Sequence, residues 1–182
     1  MSLSRIAKRY AKPLLELAEE RKMLEEVKHD MEMFDGICAD NKDFVNMLKS
    51  PIIAHLKKAE ILDAIFRGKV NELTLLIFST ITKKNREGIL PNVAQEFLRL
   101  YNDKKGFQEA TVTTTFSLDA EMRKQVESLV SELSGKKPML KEFVDPEIVG
   151  GFVLKLGDRQ VDESLSGKLQ DLRLKFKKES KI

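Results

Sequence analysis

Residues 106–116 read Gly106-Phe-Gln-Glu-Ala-Thr-Val-Thr-Thr-Thr-Phe116, and the hydrophobic period changes there. From Ala110 to Phe116 the residues are β-branched and alternate, which favours a strand. Upstream, from Ser4 to about Lys105, apolar residues recur at helical spacing instead. The first helix is predicted to start on Ser4 as N-cap, with Ile6, Tyr10, Leu14, Leu17 and Ala18 on one side. Pro13 should kink it or delay its regular start, because proline removes an interior N–H. Further helices are predicted over Met23–Ala39, Asp43–Lys49, Leu56–Phe66, Asn71–Lys84 and Pro91–Asp103. They are punctuated by Asp40-Asn41, Ser50-Pro51, Gly68 and Asn85–Gly88. Short helices broken in this way make an antiparallel bundle.

Downstream of Phe116 a helix is predicted over Asp119–Leu133, capped by Ser117 or Asp119 and stopped by Gly135. Strands follow at Met139–Val144, Ile148–Leu156 and Arg159–Val161, and a last helix runs from Ser164 with Leu165, Leu169, Leu172 and Phe176 as its buried stripe. The expected fold class is mainly α: a six-helix N-terminal bundle over residues 1–105, then a smaller α+β domain over residues 106–182.

Composition narrows the function. The 182 residues carry 32 Lys and Arg against 29 Asp and Glu, a balance too even to announce nucleic acid as the main partner. The first 105 residues hold 19 basic and 16 acidic side chains, and the remainder 13 of each. One cysteine, Cys38, forms no internal disulfide, and with His29 and His55 it is too little for a closed zinc site. The most apolar run, Leu73–Thr82, falls far short of the roughly 20 residues that cross a bilayer. The start runs directly into an amphipathic pattern with no secretory signal, so an intracellular protein is expected.

The candidate chemistry dissolves into turns. Gly150, Gly151 and Gly157 enclose a strand-like segment, and Gly157 is followed by Asp158-Arg159 where a phosphate loop needs lysine and a hydroxyl. They read as a close backbone approach and a hairpin turn. Asp145, Asp158 and Asp162 could imitate an acid–base pair, yet each lies at a turn or a helix start. No catalytic residue, metal or cofactor is expected. The basic tail, with Lys168, Arg173, Lys175, Lys177, Lys178 and Lys181, reads as a dipole-favoured helix end. An alternative is a free-standing adaptor that uses this tail on a membrane surface or nucleic acid.

Two helices, the first and the one from Asn71, are apolar over a wider arc than a single core contact requires. Each reads as a central core helix, or together they keep a face for another helix.

Three stretches then stand out: Arg9-Tyr10-Ala11-Lys12 with Leu14–Ala18; Lys84-Asn85-Arg86 with Leu90-Pro91; and Val144-Asp145-Pro146-Glu147-Ile148-Val149-Gly150-Gly151-Phe152, continued by Gly157-Asp158-Arg159-Gln160-Val161-Asp162. In order and spacing they resemble the delta subunit of bacterial F-type ATP synthases, whose mitochondrial counterpart is the oligomycin-sensitivity-conferring protein. The resemblance covers essentially the whole chain, with departures at Pro13 (commonly alanine) and Glu163 (often glycine). It implies a non-catalytic stator subunit, peripheral on the cytoplasmic face of a bacterial membrane and touching the membrane only through its complex. It implies a groove between the first and fifth helices for the N-terminal helix of an alpha subunit, and a C-terminal domain that engages the C-terminal region of the b subunit. Ala7, Tyr10, Ala11, Leu14, Leu76 and Thr80 are the expected groove lining. Asp145, Gly150, Gly151, Gly157, Asp158 and Asp162 are assigned to turn and strand geometry.

Overall fold

The computed structural model describes residues 3–146, 148, 150–157, 159–169 and 176. The chain divides into two compact units, residues 1–101 and 102–182. Helical periodicity is realised as α1 (Leu3–Glu20), α2 (Leu24–Asp40), α3 (Lys42–Lys49), α4 (His55–Phe66), α5 (Glu72–Lys83) and α6 (Leu90–Lys105), with a 3-10 turn at Glu87–Ile89 leading into α6. The breaks follow local chemistry. Asn41 and Asn71 cap α3 and α5 by accepting the N–H groups of Phe44 (3.3 Å) and Leu73 (3.0 Å). Ser50 is extended ahead of Pro51, and Asn85 sits at φ 55 just past α5.

Two expectations for α1 are corrected. The helix begins at Leu3, so Ser4 is a helical residue and not its cap, and Pro13 lies within it without delaying its regular start. The ring of Pro13 is exposed, while Ala7, Ala11, Leu14, Leu15 and Ala18 are buried on either side of it. Core packing along that face outweighs one lost backbone hydrogen bond.

The helical core centres on four rings from four helices: Phe34, Phe44, Phe66 and Phe78, with neighbouring centroids 4.8 to 6.3 Å apart in tilted and edge-on pairs. Two buried carboxylates organise its polar seams. Asp30 of α2 accepts from the Asn71 N–H and the Thr74 hydroxyl, both at 2.7 Å, and so holds the N-terminus of α5. Glu87 pairs with Lys58 of α4, whose ammonium also donates to the carbonyls of Leu48 and Ser50 at the end of α3.

The second unit holds β1 (Phe107–Thr114), α7 (Ala120–Ser134), β2 (Lys137–Val144), β3 (Phe152–Leu156) and β4 (Arg159–Asp162) in a sheet of order β2-β1-β3-β4. β1 runs parallel to β2 and antiparallel to β3, and β3 is antiparallel to β4. The register pairs Val112 with Leu154, and these two with Ala110 bury one sheet face with Val126 and Val130 of α7. Asp119 caps α7 by accepting the Glu121 and Met122 N–H groups, and Gly135 at φ 67 ends it.

β1 starts earlier than predicted and stops at Thr114. β3 begins only at Phe152, because Gly150 and Gly151, at φ 65 and 79, turn the chain before the strand. The final helical segment, residues 165–169, corrects the expected buried stripe: Leu165, Leu169 and Phe176 are 53, 59 and 65% exposed. Amphipathic spacing marks an apolar face and does not say what covers it. Leu172 lies outside the described residues.

Candidate docking surface

Helical geometry gives α1 two adjacent apolar faces. One consists of the buried Ala7, Ala11, Leu14, Leu15 and Ala18. Beside it Leu3, Ile6, Tyr10, Pro13 and Leu17 follow at spacings of three and four, so they share one stripe. Leu3 and Pro13 are exposed, and Ile6, Tyr10 and Leu17 are half-buried. α5 contacts α1 and buries Leu73, Thr74, Phe78, Ile81 and Thr82. Its outer side carries Leu76, 54% exposed, and the half-buried Thr80. The Thr80 hydroxyl donates to the Leu76 carbonyl at 2.7 Å, which leaves the methyl as the free end of that side chain.

Of the six expected lining residues, Tyr10, Leu76 and Thr80 are therefore on the accessible surface of these two helices. Ala7, Ala11 and Leu14 are not: they are 0, 0 and 4% exposed and belong to the helical core. Small residues let helices approach closely, so the alanines mark the buried seam. Leu3, Ile6, Pro13 and Leu17 were missed as surface, although their spacing from Tyr10 was the available signal.

Tyr10 is held from the far end of α5. The Arg86 guanidinium donates to its hydroxyl at 3.4 Å, and the Lys84 ammonium lies 5.8 Å from its ring centroid. The turn that carries both cations is fixed by the backbone: the N–H groups of Lys84 and Arg86 donate to the Ile81 carbonyl at 3.1 and 3.2 Å around left-handed Asn85.

The motif of the second unit is built from close approach. A Cβ on Gly151 would overlap the Glu163 carbonyl oxygen, and one on Gly150 would lie 3.0 Å from Leu165 Cδ1. Asp145 continues the ladder, its N–H donating to the Thr114 carbonyl at 2.8 Å, and its own carbonyl accepts from Ile148 at 3.2 Å. Gly157, at φ 55, opens the turn between the paired residues Leu156 and Arg159. Asp158 lies outside the described residues. Asp162 accepts the Ser164 N–H at 2.9 Å, and hydrogen bonds from the Ser164 side chain and backbone hold its carboxyl below the usual range. Ser164 in turn accepts the Gly167 N–H at 3.0 Å, capping the last helical segment. Gly151→Ala is expected to destabilise the second unit by about 2–4 kcal/mol through left-handed strain and a backbone clash. A denaturant titration followed by a probe in residues 102–182 measures it, and an unchanged midpoint would refute the close approach.

Next to this motif, an open apolar pocket of about 420 Å³ is lined by Phe116, Leu118, Met122, Leu129 and Phe152. Phe116 is 56% exposed there. Among the described residues, no group of three His, Cys, Asp or Glu side chains is placed to hold a metal ion. Burial, helped by Asp35, pushes the Cys38 thiol up to about 11, so it stays protonated at neutral pH.

The sequence model of the family "ATP synthase delta (OSCP) subunit" matches residues 6–176. The chain is 38% identical over 176 residues to ATP synthase subunit delta of Cytophaga hutchinsonii, covering 97% of this chain and 96% of that one. It is 37% identical to ATP synthase subunit delta of Chlorobium luteolum, covering 92% of each. Among solved structures, a chain in the Toxoplasma gondii mitochondrial ATP synthase hexamer shares the fold, with a TM-score of 0.75 at 22% identity over 93% of this chain and 96% of that one. A sequence match of this extent, on a fold whose motif residues serve turns and close packing, settles the family. This chain belongs to the ATP synthase delta (OSCP) subunits, non-catalytic members of the synthase's peripheral stalk.

Proposed function

We propose that the helical unit, working as a six-helix bundle, holds the N-terminal helix of an alpha subunit against the outer stripe of α1 and the Leu76–Thr80 side of α5. The second unit receives the C-terminal region of the b subunit, and the apolar pocket at Phe116 and Met122 is its receptor. Head and stalk are thereby joined on the cytoplasmic face of a bacterial membrane. Among the described residues no helix is long and apolar enough to cross a membrane.

The observation that carries this reading is a second apolar stripe on α1, from Leu3 to Leu17, whose Tyr10 and Leu17 rest against the core on one side while Leu3 and Pro13 stay exposed. A stator must hold its partner while torque is applied, so it needs slow dissociation and not chemistry. An amphipathic helix laid in a preformed apolar groove supplies that, because a few desolvated anchors dominate the affinity.

The test titrates the full chain with a synthetic peptide of the alpha subunit's N-terminal segment from the same genome. Leu76→Asp is expected to weaken binding about 30- to 300-fold, the loss of one central anchor, with the melting curve unchanged. Unaltered affinity would remove this face from the interface. A peptide of the b subunit's C-terminal region, titrated against Phe116→Asp, examines the second unit in the same way.

A further inference from the structure

The cations around the α1 stripe have a distribution that helix chemistry does not explain. Carboxylates suit the first turns of a helix and cations oppose its dipole. α1 has no acid in its first turn and instead exposes Arg5, Lys8 and Arg9. At about 100° per residue, Arg9 lies about 40° outside Pro13 at the outer edge of the Leu3–Leu17 stripe, and Arg5 about 40° further round. Glu16 and Glu20 continue the same edge two turns on. Lys84 and Arg86 approach Tyr10 from the end of α5. Lys12 is paired with Glu16, whereas among the described residues Arg5, Arg9, Lys84 and Arg86 have no carboxylate partner. Glu87, next in sequence to Arg86, is buried on Lys58 and unavailable.

We propose that this surface selects an acidic amphipathic helix, whose carboxylates meet Lys84 and Arg86 beside Tyr10 and Arg5 and Arg9 beyond the outer edge of the stripe. The proposal rests on the docking reading above and adds the partner's charge pattern and direction. The apolar stripe supplies residence time. The cations supply the encounter rate and reject a helix with basic flanks. Because one edge of α1 is basic at its start and acidic at Glu16 and Glu20, a helix with carboxylates at one end docks in one direction only.

Binding kinetics of the full chain with the alpha-subunit N-terminal peptide test this, alongside a second peptide in which every Asp and Glu is replaced by its amide. For the native peptide the association rate is expected to fall steeply with salt, and Lys84→Gln with Arg86→Gln should lower it about tenfold at low ionic strength. The amide peptide should associate slowly with both proteins and dissociate at nearly the native rate. Native-peptide binding that ignores salt and the double substitution would overturn the charge pattern while leaving the docking reading intact. No binding by either peptide would overturn both. If the double substitution abolished binding to anionic phospholipid vesicles and left peptide kinetics unchanged, Lys84 and Arg86 would be a lipid contact and the proposal would fall.

Discussion

Leu14→Asp is expected to unfold the helical unit and not merely to blunt a binding surface. Leu14 is 4% exposed, on the face of α1 that carries Ala11 and Ala18 at full burial. The substitution removes a buried aliphatic side chain and puts a carboxylate in its place among the apolar side chains of the core. Together these cost about 4 kcal/mol or more, a large share of the roughly 5–15 kcal/mol that stabilises a domain. Far-UV circular dichroism should show loss of helix or a melting transition lowered by well over ten degrees. The contrast with Leu76→Asp is the informative part. The two substitutions are chemically identical and lie on neighbouring helices, yet only one should disturb the melt. A Leu14→Asp protein that melts like the parent and fails to bind would return Leu14 to the groove.

The second large effect is at Lys58. Its ammonium has three protons and uses all of them, on the Leu48 carbonyl at 3.0 Å, the Ser50 carbonyl at 2.6 Å and Glu87 Oε1. Among the described residues Glu87 Oε2 has no hydrogen-bond partner, so Lys58 is the counter-charge for a carboxylate 7% exposed. Lys58→Met strands that carboxylate and two carbonyls, at a cost of about 3–5 kcal/mol. Adding Glu87→Leu should recover the part due to the buried carboxylate and leave the cost of the two unpaired carbonyls, since replacing both charges by apolar groups is often neutral. Chemical denaturation of the two variants distinguishes the cases. Equal midpoints for single and double substitution would show that the pair is not the source of the loss. The ion pair joins the end of α3, α4 and the entry to α6, the frame against which α5 is set.

Sequence reasoning located the elements well where one residue type dictates geometry. Gly106 marks the change of period, Pro51 ends a helix and Gly135 caps another, each for a backbone reason visible in one residue. It failed where the answer depends on what lies opposite. On α1 the count of large apolar side chains directed attention to Tyr10 and Leu14 as equals. Packing separates them, because the alanines form the seam and carry Leu14 inward with them. Leu165 and Leu169 follow a sound helical period yet are exposed, since a period does not name a partner. The Lys58–Glu87 pair spans 29 positions and has no local signature. The cations at Tyr10 were legible as residues and illegible as a cluster, for only the left-handed turn at Asn85 sends them back across to α1.

The strand order bears on how the molecule is made. β1 finds its parallel partner β2 only after α7 has been synthesised, and its other neighbour β3 comes later still. Such distant pairings close slowly, whereas a set of short helices gathers from contacts near in sequence. On a ribosome that releases the N-terminus first, the helical half is expected to be complete while the second half is still a strand awaiting its neighbours.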